Sequence, residues 1–357
     1  MRISAWVLRR PGEPMVLEQL EANPGPDEVL VEVAGCGICH TDIAFCDGEA
    51  PTRHSLPLVL GHEISGTVVA AGRSAASWIG RPVIIPAVIP CETCDACRQG
   101  LGSICPNQIF PGNDVHGGFG THLTVPARGL CPVPSPAGST DAGEGPDLAS
   151  LAVIADAIST PFQAVQRSGL GEGDLAVFVG TGGVGGFGVQ IAAALRARVV
   201  AIDVDEQRLR LMAERGAELT LDARETPFKQ IRRRVREFGS AHGIPSWRQK
   251  IFETSGTVAG QATAFGLLGH GGYLGIVGYT PEKVSLCLSN LMALHATVQG
   301  NWGCLPRHYP AVLDLVHSGK VVVQPFVEKR PLSTINDAFD RVRSHQATRR
   351  IVLQPER

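Results

Sequence analysis

From Asp174 the chain reads DLAVFVGTGGVGGFGVQIAAAL. A short apolar strand, LAVFV, runs into a glycine turn and then into a helix-forming apolar run. It is this strand–turn–helix context that makes the glycines informative. In GTGGVG, Gly180 permits a tight turn and Gly182 lets the backbone approach a pyrophosphate. Gly183 and Val184 complete the turn, and Gly185 allows close packing of helix on strand. Unpaired N–H groups at the helix N-terminus then face the phosphates. A second strand, RVVAID, ends at Asp203, 23 residues after Gly180. A carboxylate there accepts hydrogen bonds from the ribose 2′ and 3′ hydroxyls and repels a 2′-phosphate. NAD is therefore expected over NADP, although Arg208 could reach the same ribose and soften the preference.

The alternation continues through DEQRLRLMAERGA, ELTLD, TPFKQIRRRVREFG, KIFETSG, TVAGQATAFGLLG and GYLGIVGY. Helix and strand patterns take turns, which predicts a doubly wound parallel α/β sheet. The first 150 or so residues differ: short runs such as EVLVEVAG, EISGTVVAAG and PVIIPAVI are broken by Gly and Pro, a β-rich pattern. After residue 305 two helices and two strands follow, and this tail is expected to close against the first domain. The chain has 357 residues, 44% of them hydrophobic, enough for two cores. The expected division is 1–155 with 305–357, and 156–304 between them.

A net charge of −2 argues against nucleic acid or an anionic membrane as partner. No run approaches about 18 apolar residues, and the N-terminus does not read as a signal peptide, so a cytoplasmic protein is expected. Of ten cysteines, eight precede residue 132. Four of them, in CETCDACRQGLGSIC, are Cys91, Cys94, Cys97 and Cys105. Four thiolates at such spacing suit a closed tetrahedral zinc site that holds a loop and does no chemistry. An iron–sulfur cluster is the rival, but the usual C-x3-C-P continuation is absent. Incidental or disulfide-paired cysteines are the third reading.

CGICHTD, Cys36 to Asp42, offers two sulfurs, an imidazole and a carboxylate. A redox pair lacks its thioredoxin-like surroundings here. The alternative takes Cys39 as one metal ligand and His62, from GHE, as another, with one further protein ligand needed for an open catalytic site.

CGICHTD, LGHEISG, CETCDACRQGLGSIC, VGTGGVGGFG and AIDVDEQR together resemble the zinc-dependent medium-chain alcohol dehydrogenase family, in order and spacing, over essentially the whole chain. The resemblance implies a GroES-like catalytic domain carrying the catalytic zinc, with a Rossmann domain between its two segments. It implies Cys39 and His62 as the first two catalytic zinc ligands. The third family ligand is usually a Cys; the matching residue here is Asp156, in DAISTPFQAV. A carboxylate binds zinc and is harder than thiolate. Asp156 could instead stand behind the ligands, with Glu63 or water completing the site. Asp42 matches the carboxylate that fixes the ring of His62, and Glu63 the carboxylate behind the zinc. His40 and Arg349 match residues that meet the pyrophosphate, and Thr160 a contact behind the nicotinamide. Arg349 also reads as a surface charge before the last strand. Val277, in GYLGIVGY, joins the expected cofactor contacts. Thr41 matches the hydroxyl that takes the alcohol proton, but the family's distal relay His is replaced by Ala44, leaving water, His54 or His116.

The implied reaction is oxidation of an alcohol with hydride transfer to NAD, using two zinc ions per chain, one catalytic and one structural. Within the family the chain most resembles the 6-hydroxycyclohex-1-ene-1-carbonyl-CoA dehydrogenases of anaerobic aromatic degradation, through AGCGICHTDIAFCDG, PLVLGHEISG, PGNDVHGGFGTHL and Asp156. An alicyclic acyl-CoA is then the expected substrate. A broad secondary-alcohol or polyol dehydrogenase is the alternative; a non-catalytic NAD(H)-binding sensor or structural protein is the alternative of another class. The family also implies a homodimer or homotetramer. Phe110–His122 and His295–Cys304 are expected to border the pocket; Arg236–Lys250, with IRRRVR before it, offers a cationic rim for a phosphorylated carrier or reads as solvated helix charge.

Overall fold

The computed structural model describes residues 1–134 and 145–356. The chain divides into two compact units. One comprises Met1–Ser159, Gly303–His317 and Val322–Arg357; the other comprises Thr160–Trp302 and Ser318–Val321.

The first unit is built on a seven-stranded sheet. Its long strand Glu28–Gly37 pairs antiparallel with Glu63–Ala71, His122–Pro126 and the chain's last strand, Arg350–Gln354. Val29, Leu30, Val31 and Val33 in EVLVEV are all buried, so this strand has apolar cover on both faces. Its register opposes Gly37 to Glu63 on one side and to Val352 on the other. One end of the sheet thereby gathers three chain segments far apart in sequence. A second sheet, of three strands, orders Val16–Glu21, Arg2–Leu8 and Leu58–Val59.

The second unit holds six strands, all parallel, in the order Leu219–Asp222, Arg198–Asp203, Leu175–Val179, Gln249–Glu253, Tyr273–Ile276 and Thr297–Gly300. Numbered along the chain this is 3-2-1-4-5-6, the Rossmann order. LAVFV is wholly buried, as a central strand covered by helices on both faces must be. The sixth strand, Thr297–Gly300, lies inside the segment expected as a pocket-bordering loop. TVQG has no apolar run because it is the mostly exposed edge of the sheet. The Arg-rich stretch folds as the helix Phe228–Ala241, buried through Ile231, Val235 and Gly239. Lys229, Arg232, Arg233 and Arg236 line a surface groove along it with Glu237 and Ser240.

Candidate active site and metal centres

In the first unit, the strand Glu28–Gly37 runs through Ile38 into Cys39, which caps the helix His40–Asp47. Asp42, in the first turn of that helix, is fully buried. A buried carboxylate is costly unless hydrogen bonds satisfy it. Its Oδ2 accepts the Cys39 N–H at 2.9 Å, and its Oδ1 accepts the Gly61 N–H at 3.2 Å and lies 3.0 Å from His62 Nδ1. In the neutral tautomer that donates Nδ1–H to Asp42, Nε2 keeps a lone pair that can bind a cation. Burial opposes protonation of His62, yet Asp42 and Asp156 hold its pKa well above the usual value. A bound cation would answer the same negative surroundings.

Asp156 follows the short helical turn Ser150–Ala155. Its Oδ2 lies 3.8 Å from Cys39 Sγ and 3.7 Å from His62 Nε2. Ligands on one tetrahedral zinc, with bonds of about 2.0–2.3 Å, stand about 3.3–3.5 Å apart, so the three atoms need only close slightly to share an ion. Cys39, His62, Glu63 and Asp156 place their ligand atoms within 4.8 Å of one another. Thr41 Oγ1 is 3.8 Å from Cys39 Sγ. Phe110 covers His62 with its ring, centroid to centroid 4.9 Å.

Glu63 is also fully buried, and the Arg350 guanidinium engages it through two bonds, Nε to Oε2 at 3.0 Å and Nη2 to Oε1. Burial pushes the Glu63 carboxyl up, against the pull of Arg350. Gly37 makes the pair possible: a Cβ there would stand 2.1 Å from Glu63 Oε2. The sequence reading singled out Arg349, which is exposed. Arg350, one residue on, enters the site, because it opens a strand whose side chains alternate faces. The paired basic residues in TRRIVL carried the signal, and only the strand register tells them apart. His40 is exposed, its ring stacked 6.4 Å from that of His345. Ala44 is buried. His54 and His116 stand with ring centroids 5.6 Å apart, and His116 Nδ1 accepts the Val59 N–H at 3.1 Å.

The four-cysteine lobe brings its sulfurs together. Cys94 Sγ is 3.5 Å from Cys97 Sγ and 3.7 Å from Cys105 Sγ, and Cys91 Sγ is 4.0 Å from Cys97 Sγ. Tetrahedral zinc with sulfur at about 2.3 Å spaces its ligands about 3.8 Å apart. All four are free thiols, which excludes the disulfide reading. Backbone N–H groups of Cys91 and Cys94 donate to Cys105 Sγ and Cys91 Sγ, as they would to thiolates. Hydrogen bonds from Thr93, then from Cys94, lower the Cys91 pKa to about 5. Burial and the neighbouring Cys94 raise Cys97 to about 12. Two thiols pushed in opposite directions a few ångströms apart are sharing hydrogen-bond partners in one cluster.

In the second unit, Gly180 has φ +88°, and a Cβ there would meet Ser255 Cα at 2.5 Å. A Cβ on Gly185 would stand 2.0 Å from the Gly180 carbonyl oxygen. At Gly182 the nearest atom would be Arg208 Nη1 at 3.6 Å. The first and last glycines are thus required by packing, while the middle one leaves space where a pyrophosphate belongs. Val184 caps the helix Gly185–Ala194, and Gly183 lies between. Asp203 ends its strand buried. Its Oδ2 accepts the Thr181 N–H at 2.5 Å and the Thr181 hydroxyl at 2.8 Å; its Oδ1 accepts the N–H of Val204 at 2.7 Å and of Asp205 at 3.0 Å. All four acceptor positions of this carboxylate serve the chain itself. Arg208 is half-buried, its Nε 3.8 Å from Asp205. The Val277 N–H donates to the Glu253 carbonyl, and the Thr160 carbonyl accepts from Asn301 Nδ2 at 3.3 Å.

Residues 25–135 match the alcohol dehydrogenase GroES-like domain, and residues 183–318 match the zinc-binding dehydrogenase domain. An alcohol dehydrogenase of Geobacillus stearothermophilus is 30% identical over 332 residues, 92% of this chain and 91% of the relative. The chain belongs to the zinc-dependent medium-chain alcohol dehydrogenase family. The alcohol dehydrogenase of Aeropyrum pernix superposes with a TM-score of 0.85 at 29% identity, covering 99% of this chain and 100% of that one. That of Thermotoga maritima gives 0.86 at 26%, covering both chains completely. This family member is therefore an NAD-dependent oxidoreductase of alcohol-type substrates, with two candidate zinc sites and a Rossmann domain for NAD. Among the described residues, no helix is long and apolar enough to cross a membrane.

Proposed function

We propose that this enzyme oxidises a secondary alcohol on an alicyclic acyl-CoA to the ketone, with hydride transfer to NAD, in the cytoplasm. The convergence of Cys39, His62 and Asp156 carries the zinc-dependent part of the reading. These three side chains would hold a zinc ion, which would supply Lewis acidity toward the alcohol. Asp156 makes the set harder than one with a second thiolate. Asp42 keeps the His62 ring in the tautomer that binds metal. Thr41 sits beside Cys39 with a hydroxyl able to accept the alcohol's hydrogen bond while handing its own proton on. With Ala44 in place of a distal histidine, that proton leaves to water or to the His54–His116 pair. On the cofactor side, a ribose hydroxyl bonds Asp203 once the Thr181 hydroxyl gives up its place on Oδ2. His40 and Arg349 are the groups offered to the pyrophosphate, while the buried Arg350 is held by Glu63.

The acyl-CoA part rests on the motifs resembling the cyclohexenecarbonyl-CoA enzymes and on Asp156. The cationic face of Lys229, Arg232, Arg233 and Arg236 supplies charge of the sign a phosphorylated carrier needs. The alternative is a broad secondary-alcohol or polyol dehydrogenase. NADH formation measured with a cyclic hydroxyenoyl-CoA, its free acid and simple secondary alcohols separates the two. The thioester should exceed the others in kcat/KM by about 100-fold, in the range that recognition of remote groups supplies. Equal turnover of simple alcohols would establish the alternative. We also place the homodimer or homotetramer contact at the open sheet edge Thr297–Gly300, beside the exposed Leu288, Met292 and Val298.

A further inference from the structure

Asp156 stands at an unusual place in the chain. It lies between the turn Ser150–Ala155 and the helix Ser159–Ser168, with φ −143° and ψ −57°, and neither element continues through it. The direction in which its carboxylate points depends on how this junction is held. The peptide plane that enters Asp156 carries the Ala155 carbonyl, because the peptide unit is rigid. Two hydroxyls converge on that carbonyl. The Ser159 Oγ donates to it at 3.2 Å, and the Tyr309 hydroxyl donates to it from the opening of the helix Tyr309–His317. Tyr309 is itself immobilised. It has no exposed surface, and its oxygen accepts the Ala87 N–H at 3.3 Å.

We propose that Tyr309 is a positioning residue for the Asp156 ligand: its hydroxyl, pinned by the Ala87 N–H, clamps the Ala155–Asp156 peptide so that the carboxylate meets Cys39 and His62. The inference rests on the reading of Asp156 as a metal ligand. The clamp fits a site that has exchanged a thiolate for a carboxylate. A carboxylate is one rotatable bond longer than a thiolate, so its oxygen sweeps a wider arc and its backbone must be fixed more firmly. In Y309F the Ala155 carbonyl keeps the Ser159 donor, while the Ala87 N–H loses its acceptor, a loss expected to lower Tm.

The test is a titration of the metal-stripped full-length enzyme with Co²⁺, following both affinity and the visible ligand-field spectrum, in wild type and Y309F. Y309F should bind the catalytic-site Co²⁺ about 10–100-fold more weakly, the range for lost partners of metal ligands. Its spectrum should shift, while the four-cysteine site keeps its metal and NADH affinity stays unchanged. Wild-type affinity and spectrum in Y309F, even with a lowered Tm, would overturn the inference while leaving the metal site standing. A wild-type chain that loads only the four-cysteine site would overturn the site reading and this inference with it. Should Y309F not fold, S159A removes the other donor to the same carbonyl and carries the test: weakened Co²⁺ binding supports the clamp, and wild-type binding refutes it.

Discussion

Asp156 and Arg350 are the two residues on which this active site departs from what a sequence shows directly. Asp156 was legible as a ligand candidate because a carboxylate occupies the position of a family cysteine, and the structure puts its Oδ2 3.8 Å from Cys39 Sγ. In the proposed site, replacing it by alanine would leave Cys39 and His62 without their third ligand. D156A should hold one zinc per chain against two in the wild type, counted by elemental analysis, and should lose alcohol oxidation by at least about 10³-fold. Arg350 was hidden because its importance comes from a partner 287 positions away. Its removal would strand a fully buried Glu63 carboxylate. R350M should therefore destabilise the fold by about 3–5 kcal/mol in denaturant unfolding. An unchanged midpoint would show that Glu63 has another partner or is neutral.

At the level of elements, the glycine turn offers a contrast that packing alone sets up. G185A pushes a methyl into the Gly180 carbonyl, 2.0 Å away, so the turn must open and stability and NADH binding should fall together. G182A meets nothing closer than Arg208 Nη1 at 3.6 Å. It should fold within about 1 kcal/mol of wild type. Its Kd for NADH should nonetheless rise by about 10-fold or more, because the methyl fills the pyrophosphate's place. Parallel fluorescence titrations and thermal melts separate the two variants; equal NADH affinity in G182A and wild type would move the phosphate elsewhere. The four inner strands of this sheet were readable because buried parallel strands are continuous apolar runs. Thr297–Gly300 was not, since an exposed edge strand has neither signature. Asp203 was correctly read as a strand-end acid, but its four bonds to its own chain depend on how the Thr181 turn folds back, which no local pattern encodes.

Across the whole molecule, two kinds of information were unequal in the sequence. Cysteine spacing named the four-sulfur lobe, because all its ligands lie within one short stretch. In C97S the lobe should lose its ion and its protection from proteolysis around residues 91–105, while a catalytic zinc remains. Limited proteolysis with zinc counting checks this, and an unaltered cleavage pattern would assign the lobe's rigidity to its packing. The candidate catalytic cluster instead needed the family resemblance, because its residues come from a helix N-cap, the residue before a strand and a turn some ninety residues on. The central claim is that this cluster makes the alcohol reactive. The most direct measurement is alcohol-dependent NADH formation by wild type and by a C39A/H62A variant, with zinc counted and NADH affinity measured on the same samples. The variant should hold one zinc per chain, bind NADH as wild type does and form no NADH above background. Full turnover by that variant would contradict the claim.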